Sequence, residues 1–295
     1  MQAQHWGPMI KRAGVEVMNA RTKNVALAKE TIEVTAQKKY TVPSGQVVDI
    51  SQAVDDAING TVLHKPDEAF LVPDIQLSPT IEVTNETTAQ AAVRLNKPNM
   101  VALNFASARN QGGGFLAGAL AQEEDLCRAS ALYACLKRKP VFYNENILCD
   151  DCYYTDNIIY SPKVPFFRGE HNLFLEEPFT LSIISAPAPN LNGIRPEGLQ
   201  YKLRGIIRGR IERILHVAAS HGHKTIILGA WGCGAFGNDP EMIADEFKKM
   251  IEKTAAFEHV CFAVYDTREP PVLYETFQKV FGAVPTSGTE GTRAD

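Results

Sequence analysis

The stretch that decides the fold is residues 100–124, MVALNFASARNQGGGFLAGALAQEE. Its first six residues form an apolar run that contains Asn104 near its end, which is typical of a short buried strand. Three consecutive glycines follow at 112–114, and glycine is retained where the backbone needs dihedral angles or close approaches that other residues forbid. Two adjacent acids, Glu123 and Glu124, then begin a predicted helix. The sequence therefore predicts a strand, a glycine loop and a helix that carries two carboxylates.

The glycine loop lies at the carboxyl end of its predicted strand. In open α/β sheets ligands bind outside this end of the strands, so the loop is placed where a ligand would approach. A single run of three glycines also fits a flexible surface turn. The run at 112–114 alone leaves both interpretations open.

A second glycine-rich segment has the same strand, loop and helix order. Residues 224–228 are apolar after their lysine, residues 229–238 read GAWGCGAFGN, and Glu241 starts an apolar periodicity that continues through Ile251. Such a junction directs backbone N–H groups and a helix dipole to one point, which suits a diphosphate. The segment lacks the Gly-Lys-Ser/Thr of a Walker loop and the spacing of a dinucleotide-binding motif. The alternative is a connection whose glycines allow helix and sheet to pack closely.

Together these segments closely resemble the microbial-type poly(ADP-ribose) glycohydrolases, a branch of the macrodomain fold. The resemblance covers roughly residues 20–282, and it is strongest at 81–128 and 181–240. It implies an α/β fold of macrodomain type, with three layers (α/β/α), a mixed central sheet and an N-terminal extension. The motifs that carry it are the glycines at 112–114 with Gln122-Glu123-Glu124, the segment SAPAPN at 185–190, and GAWGCGAFGN at 229–238.

The resemblance also implies roles for individual residues. Glu124 matches the catalytic acid of the family, and Glu123 matches its neighbour that positions ribose hydroxyls, while Gln122 would orient the pair. Asn104 matches a ribose-binding position at a strand end, and Phe236 matches an aromatic that packs on the distal ribose. Further expected substrate contacts are Gly112, Gly113, Gly114, Gly232, Cys233, Gly234, Ala235, Gly237, Asn238 and, at the adenosine end, Asp266.

Each of these residues also has a purely structural interpretation. Acids at a helix N-terminus compensate the helix dipole, which is worth ~0.3–1 kcal/mol each. Asn104 fits an ordinary turn, and Phe236 fits a core anchor in its loop. The small Cys233 fits between two glycines without any redox role, and Asp266 follows a strand that is apolar enough to be core.

The implied reaction is hydrolysis of the ribose–ribose O-glycosidic bond of poly(ADP-ribose), with ADP-ribose as product. Its oxocarbenium-like transition state needs a proton donor, a base for water and nearby negative charge. One carboxyl group and the diphosphate of the substrate meet these needs without a metal ion or a cofactor. Two alternatives remain: a hydrolase that removes single ADP-riboses from protein or nucleic acid, and a non-catalytic ADP-ribose reader that would not need Glu124.

Composition agrees with one soluble α/β unit. The 295 residues are 45% hydrophobic, which suffices for one large core. A net charge of −4 and a pI near 6.0 disfavour a generally basic surface, so we expect no sequence-specific binding to nucleic acid. No run approaches the ~20 apolar residues of a membrane span, and the first residues lack the order of a signal peptide, so we expect no membrane association and a cytoplasmic location.

The six cysteines are too few for a disulfide scaffold and predict free thiols. Cys149 and Cys152 form the one close pair. A structural zinc site normally adds a second such pair or two histidines, and neither follows at suitable spacing. The sequence therefore predicts no metal site.

The pattern of elements predicts an N-terminal elaboration over residues 1–80, a catalytic core over 81–284 and a disordered tail over 285–295. In the elaboration we expect a helix over 16–38, a hairpin at 40–50, and a helix from a Ser51 cap to about Leu63. In the core we expect strands near 81–84, 157–160, 181–185 and 259–265, and one helix over 123–136 that ends before Pro140.

A long amphipathic helix is predicted over residues 199–220. Its apolar residues Leu203, Ile207, Ile211, Ile214 and Leu215 would face inward, and its four arginines, Arg204, Arg208, Arg210 and Arg213, would form a solvated face. His221 and His223 follow it and are predicted to lie at the surface.

Overall fold

The structure, a computed structural model, describes residues 7–149, 151–193 and 200–282, with side chains described from residue 20 and, after the second gap, from residue 202. Within this part of the chain a seven-stranded mixed sheet forms the centre and a two-stranded hairpin lies beside it. The hairpin strands are β1 (Lys39–Thr41) and β2 (Val47–Asp49). The sheet strands are β3 (Val62–His64), β4 (Thr80–Thr84), β5 (Met100–Phe105), β6 (Ile158–Arg168), β7 (Phe174–Ala186), β8 (Thr225–Leu228) and β9 (His259–Ala263).

The order of strands across the sheet is β3-β6-β7-β5-β8-β9-β4. The five strands from β7 to β4 run parallel, and β6 and β3 are antiparallel to their neighbours. The carboxyl ends of β7, β5, β8 and β9 therefore meet along one edge, where loops from all four strands lie side by side.

Helices cover both faces of the sheet. They are α1 (Gly7–Gln37), α2 (Ser51–Gly60), α3 (Thr88–Leu95), α4 (Gln122–Ala129), α5 (Leu132–Lys137), α6 (Pro140–Leu148), α7 (Gln200–Ser220), α8 (Pro240–Thr254) and α9 (Val272–Phe281). Because side chains alternate along a strand, Ala102 of β5 packs with the first six helices, whereas Val101 and Leu103 pack with the last three. The predicted three-layer α/β/α fold with a mixed sheet is confirmed.

The predicted N-terminal elaboration contributes a strand to the central sheet. Its long helix and its hairpin are present, and β3 then pairs with β6, with Val62 opposite Tyr160. The first 80 residues thus share the sheet of the core, and the division at residue 80 stays a prediction. The expected tail at 285–295 lies outside the described residues.

Two predicted helix limits in the first half of the chain are wrong. Ser51 is the first residue of α2 rather than its cap, and its N–H donates to Asp49 Oδ1 at 2.7 Å. The helix ends at Gly60, so Leu63 lies in β3. Glycine is required at this last helical residue, because a Cβ at Gly60 would lie 2.6 Å from Cγ of Pro162 on β6.

The predicted single helix over 123–136 is also wrong. Ser130 is extended, with φ −148° and ψ 179°, and it forms an isolated bridge with Phe166 of β6. Pairing with a strand outcompetes the continuous helix that local periodicity predicts. Pro140 lies just beyond the end of α5 at Lys137, as predicted, and it also begins α6, because proline fits the first turn, where no intrahelical N–H bond is lost.

The apolar face of α7 is buried as predicted, but Arg210 is not on a solvated face. Arg210 is 1% exposed, and its guanidinium donates to Asp156 Oδ1 at 2.7 Å and to the carbonyl oxygens of Tyr153 and Pro187 at 2.9 and 2.8 Å. Burial lowers the pKa of Arg210, and the carboxylate of Asp156 opposes that shift. Arg204 and Arg208 are exposed, as predicted, and both also form ion pairs with the buried carboxylate of Glu246.

The expectation that both histidines after α7 lie at the surface is wrong for His223. It is 4% exposed, and its ring lies 2.9 Å from the Tyr160 hydroxyl and 2.7 Å from the carbonyl oxygen of Asn99. His221 is exposed, as predicted, and stacks on Tyr160, with ring centroids 3.7 Å apart. Its Nε2 lies 3.2 Å from Nε2 of His64.

In the described chain, no helix is both long enough and apolar enough to cross a bilayer.

The histidine cluster predicts a pH-dependent stability. Burial, followed by the nearby His64 and His223, lowers the pKa of His221 from 6.5 to about 4. The unfolded chain therefore binds a proton that the fold excludes, and the free energy of unfolding should fall as pH decreases from about 6.5 towards 4. Urea denaturation across this range should show a weaker pH dependence in His221→Phe, which keeps the stacking without a titrating group.

The control for this prediction is His171→Asn, which alters an exposed histidine in a left-handed turn with φ 55°. Asparagine tolerates that conformation. Parallel pH profiles for the wild type and His221→Phe would contradict the role assigned to His221.

Candidate active site

The two acids lie at the start of α4, buried beneath the glycine loop. Glu123 is 3% exposed and Glu124 is 8% exposed. Oε1 of Glu124 accepts the N–H of Gly114 at 2.7 Å, and Oε2 of Glu123 accepts the N–H of Ser107 at 2.8 Å. No other hydrogen bond to Glu124 is made within the described chain, so its second carboxylate oxygen is available to a ligand.

The glycine loop is shaped by its approach to these carboxylates. Gly113 is left-handed, with φ 59°, and a Cβ there would lie 2.5 Å from Oε1 of Glu124 and 2.9 Å from Oε2 of Glu123. A Cβ at Gly114 would lie 2.6 Å from Cβ of Ala119. Both positions exclude side chains for steric reasons. The loop is therefore a close contact with the acids, and the interpretation as a flexible turn does not hold for it.

Asn104 connects the acids to the neighbouring strand. Its fully buried side chain donates from Nδ2 to Oε1 of Glu123 at 3.2 Å and to Oγ of Ser185 at 3.0 Å. Its Oδ1 is buried and accepts no hydrogen bond from the described residues. A buried acceptor without a donor is costly, so Oδ1 marks a point where a ligand hydroxyl can donate.

Ser185 was not singled out by sequence reasoning, although it begins the quoted segment SAPAPN. It lies directly opposite Asn104 in the parallel pairing of β5 with β7. A hydroxyl at the end of an apolar strand was the available signal. Its partner, however, is decided by strand register, which the sequence does not state.

Gln122 ties the start of α4 to two other elements. Its Oε1 accepts the N–H of Phe105 at 2.8 Å, and its Nε2 donates to the carbonyl oxygen of Leu103 at 2.7 Å and to Oγ1 of Thr88 at 3.1 Å. Both amide hydrogens are thus bound within the protein. This arrangement suits the orienting role expected of Gln122 better than a direct ligand contact.

The two acids differ in their electrostatic surroundings. The pKa of Glu123 is raised to about 8, mainly by burial and to a smaller extent by the carboxylate of Glu124, while the donors Ser107 and Asn104 oppose the shift. At pH 7 the carboxyl group of Glu123 is therefore largely protonated, and it can donate as well as accept. A neutral Glu123 also avoids placing two negative charges side by side.

The second glycine segment forms a loop between β8 and α8. Gly232 has φ 75°, and a Cβ there would lie 2.5 Å from Cβ of Ala188. Gly234 is exposed, and a Cβ there would meet no atom within 4 Å. Packing therefore requires glycine at position 232, as the structural interpretation proposes. Packing does not require glycine at position 234, and the space beside Gly234 is open to a ligand.

Free backbone donors in this loop lie at Gly234, Ala235 and Phe236. Their three consecutive N–H groups have no acceptor among the described residues. The first turn of α8 is not free in the same way, because Oδ1 of Asp239 accepts the N–H groups of Glu241 and Met242 at 2.9 and 3.3 Å. The donors that remain free for an anion are thus in the loop itself rather than at the helix start, and α8 begins at Pro240 rather than at Glu241.

Other predicted contacts in the loop have structural partners. Both amide hydrogens of the buried Asn238 are donated to the protein, to the carbonyl oxygens of Pro189 and Gly232 at 2.8 and 3.0 Å. Burial raises the pKa of Cys233 to about 12, so its thiol stays protonated and is a poor nucleophile. Ala235 and Gly237 are exposed, and Gly237 has φ 71°.

Phe236 is half-buried in the second glycine loop. Its ring lies 6.4 Å from that of Tyr154, which sequence reasoning missed. Tyr154 precedes β6 in an irregular segment that carries no motif, and only the tertiary structure brings it to this loop.

Asp266 follows β9 at the same edge of the sheet. Its carboxylate binds Nε and Nη2 of Arg268 at 2.8 and 2.7 Å and accepts the N–H of Leu273 at 2.8 Å. The hydrogen bond with Arg268 is the main reason why the pKa of Asp266 is lowered. Its side chain is engaged within the protein, and the expected ligand contact stays a prediction. The neighbouring Tyr265 is exposed.

The structure thus brings the predicted acids, Asn104 and the first glycine loop into contact, and it places the second glycine loop at the end of the adjacent strand. Cys149 and Cys152 are free thiols. Over the described ranges, no group of three or more histidine, cysteine, aspartate and glutamate side chains has the geometry to hold a metal ion.

Comparisons with known proteins agree with this geometry. Residues 28–169 match the family described as the microbial-type PARG (poly(ADP-ribose) glycohydrolase) catalytic domain. A comparison with curated proteins gave no match.

Solved structures of bacterial enzymes are similar over most of the chain. The poly(ADP-ribose) glycohydrolase of Thermomonospora curvata is 41% identical, with a TM-score of 0.84 over 88% of this chain and 100% of that one. Its complex with the inhibitor ADP-HPD is 40% identical, with a TM-score of 0.81 over 88% and 99% of the two chains. The enzyme of Deinococcus radiodurans in complex with ADP-ribose is 40% identical, with a TM-score of 0.72 over 80% and 100%. With a glycine loop folded onto two buried acids, and at this level of identity, the chain belongs to the microbial-type poly(ADP-ribose) glycohydrolases.

Proposed function

We propose that this protein is a poly(ADP-ribose) glycohydrolase that hydrolyses ribose–ribose O-glycosidic bonds and releases ADP-ribose, with Glu124 as acid and base and without a metal ion. The observation that carries the proposal is the buried carboxylate of Glu124, held at one oxygen by the N–H of Gly114 and free at the other. The similar bacterial structures, described as poly(ADP-ribose) glycohydrolases and solved with ADP-ribose or an inhibitor, support the substrate class.

Glu124 would act first as a proton donor to the leaving ribose oxygen. Its Oε1 is fixed by Gly114, so its other oxygen would face the ligand and transfer the proton. After the bond breaks, the resulting carboxylate would take a proton from the attacking water. A single group thus serves both half-steps, which is ordinary for glycoside hydrolysis.

Glu123 and Asn104 would hold the hydroxyl groups of the ribose at the scissile bond. Because the pKa of Glu123 is raised to about 8, its carboxyl group is protonated near neutral pH and can donate to a hydroxyl oxygen. The unpaired Oδ1 of Asn104 would accept from a hydroxyl. Fixing the ring in this way places the anomeric carbon beside Glu124.

The diphosphate would bind the free N–H groups of Gly234, Ala235 and Phe236. Three consecutive N–H groups that point to one side form an anion-binding concavity. Held there, the charge of the diphosphate would lie near the oxocarbenium-like transition state and stabilise it. This arrangement needs no Lewis acid.

A hydrolase of single ADP-riboses would use nearly all of the same residues. A non-catalytic reader would keep the two glycine loops without a buried, hydrogen-bonded Glu124, so the position of that acid favours an enzyme. Product analysis separates these alternatives: labelled polymer and a mono-ADP-ribosylated protein are each incubated with the enzyme. Release of ADP-ribose from the polymer supports the proposal, and release only from the protein supports the alternative.

The two acids should respond differently to amide substitution. Glu124→Gln keeps an acceptor for Gly114 but removes the transferable proton, so single-turnover polymer cleavage should fall ~10²–10⁴-fold with nearly unchanged ADP-ribose affinity. Glu123 accepts hydrogen bonds from the N–H of Ser107 and from Nδ2 of Asn104. In Glu123→Gln the new amide NH₂ would face one of these donors, so one of the two hydrogen bonds would be lost. Calorimetry should therefore show weaker binding as well as slower turnover for Glu123→Gln.

Asp125→Asn is the control for both variants, because Asp125 is an exposed acid in the same helical turn; since it also pairs with the buried Arg128, the melting temperature of this variant is measured beside its activity. It tests whether acids are needed there only to compensate the helix dipole. Near-wild-type cleavage by Glu124→Gln would refute the assignment.

The second glycine loop gives a prediction that separates folding from binding. Gly234→Val adds a side chain in open space, so the melting temperature should stay close to wild type while ADP-ribose affinity falls at least about tenfold. Gly232→Ala should instead lower the melting temperature, because its Cβ would lie 2.6 Å from Nδ2 of Asn238 at a left-handed position. Unchanged affinity in a folded Gly234→Val protein would place the diphosphate elsewhere.

Activity should not depend on divalent ions. Proton transfer by Glu124 and the charge of the diphosphate supply the catalysis in the proposed mechanism. Dialysis against a strong chelator should leave the initial rate of polymer cleavage unchanged. A lost rate that magnesium or zinc restores would contradict the mechanism.

A further inference from the structure

An arginine beside the first glycine loop is not used by the proposed mechanism. Arg109 lies on the glycine loop, is exposed, and forms no ion pair or guanidinium hydrogen bond within the described ranges. Its guanidinium carbon lies 5.9 Å from the centroid of the Tyr154 ring. Other arginines nearby are engaged with carboxylates, such as Arg210 with Asp156 and Arg268 with Asp266.

Tyr154 is held firmly in the position where Arg109 meets it. Its backbone is left-handed, with φ 64°, which is uncommon for a bulky residue and persists only when the surroundings impose it. The N–H of Tyr154 donates to Oδ1 of Asp151 at 3.2 Å, and its carbonyl oxygen accepts from the buried Arg210 at 3.3 Å. The backbone that carries the ring is thus held in place, and Tyr154 is only 9% exposed.

The same network joins this support to the second glycine loop. Arg210 also binds the carbonyl oxygen of Pro187, and the N–H of Asn190 donates to the carbonyl oxygen of Cys152 at 2.8 Å. The N–H of Leu191 in turn donates to the carbonyl oxygen of Phe236 at 2.9 Å. The ring of Tyr154 thus lies between Arg109, 5.9 Å away, and Phe236, 6.4 Å away, and we call these three residues the wall.

The strand order places this wall relative to the scissile bond. The free N–H groups for a diphosphate follow β8, and the acids adjoin β5, while the segment that carries Tyr154 enters β6, beyond β7. A ligand that extends from the diphosphate to the acids continues, past the scissile bond, towards β7 and β6. The next unit of a polymer would therefore leave the acids on the side of Arg109.

The chemistry of a guanidinium over a ring suits a phosphate. A cation–π contact leaves the in-plane N–H donors of a guanidinium free, and these match phosphate oxygens in pairs. Building on the proposed function, we propose that Arg109, supported by Tyr154, binds a phosphate of the ADP-ribose unit on the leaving side of the scissile bond. The pair is then a polymer subsite that a single ADP-ribose does not fill.

The test is calorimetry in the Glu124→Gln background, where bound polymer stays intact. Two ligands are compared, ADP-ribose and a dimer of ADP-ribose units joined ribose to ribose. Arg109→Gln should weaken dimer binding about tenfold, the typical effect of a lost charge-assisted hydrogen bond, and should change the affinity for ADP-ribose by less than about twofold. Arg109→Lys keeps the charge without the paired donors and should lie between.

Arg138→Gln is the matched control, because Arg138 is exposed at the end of α5 and, like Arg109, has no ion pair within the described ranges. If Arg109→Gln lowers the affinity for ADP-ribose and for the dimer equally, Arg109 binds the ADP-ribose unit that is released and not the unit on the leaving side. Unchanged dimer affinity would remove it from the site, and an equal loss in Arg138→Gln would indicate a general charge effect. Each of these results overturns the proposal.

The test is independent of catalysis. If the wild-type protein fails to cleave polymer, the proposed function fails, yet a dimer affinity that depends on Arg109 would still establish the subsite. With an otherwise active enzyme, the KM for polymer should rise in Arg109→Gln, and the rise should diminish at high salt because phosphate contacts are screened.

Discussion

The close approach of a glycine backbone to two buried carboxylates is the constraint on which the rest of the site depends. Gly113 lies so near both acids that a single Cβ would collide with them. Buried carboxyl groups are costly unless donors reach them. Here the donors come from three points of one loop and its strand: Gly114, Ser107 and Asn104. The loop and its strand thus bury the two acids and also supply the hydrogen-bond donors that replace water around them.

That loop is held from outside by the N-terminal helix. Nε of Arg21 donates to the carbonyl oxygen of Ala117 at 2.9 Å, and Nδ2 of Asn24 donates to that of Gly118 at 3.3 Å. Gly118 is left-handed, and any Cβ there would collide with the backbone of Arg21. The N-terminal extension therefore packs directly on the turn that follows the three glycines. Its contribution is to fix the position of the loop, and through it the hydrogen bond to Glu124.

The two acids illustrate how identical side chains acquire different properties from their contacts. Glu123 accepts from two donors, yet burial keeps its pKa near 8. Glu124 accepts one hydrogen bond and keeps an oxygen free. The difference follows from where each carboxyl group points at the start of α4: Glu123 towards the strand end, and Glu124 towards the glycine loop. Adjacent positions on a helix face different directions, so one dipeptide presents two distinct groups to a ligand.

The sequence by itself determined the strand–loop–helix units and the acid pair, because these depend on residue types at short spacing. The motifs in these units carried the resemblance that implied the family and its three-layer fold. Glycine runs, apolar runs and acids at a helix start are local signals. The tertiary structure decided the hydroxyl of Ser185 beside Asn104, the burial of Arg210, the break in the helix at Ser130 and the support of Arg109 by Tyr154. Each of these is a contact between residues far apart in the chain. Strand register and loop packing set such contacts, and no local periodicity records them.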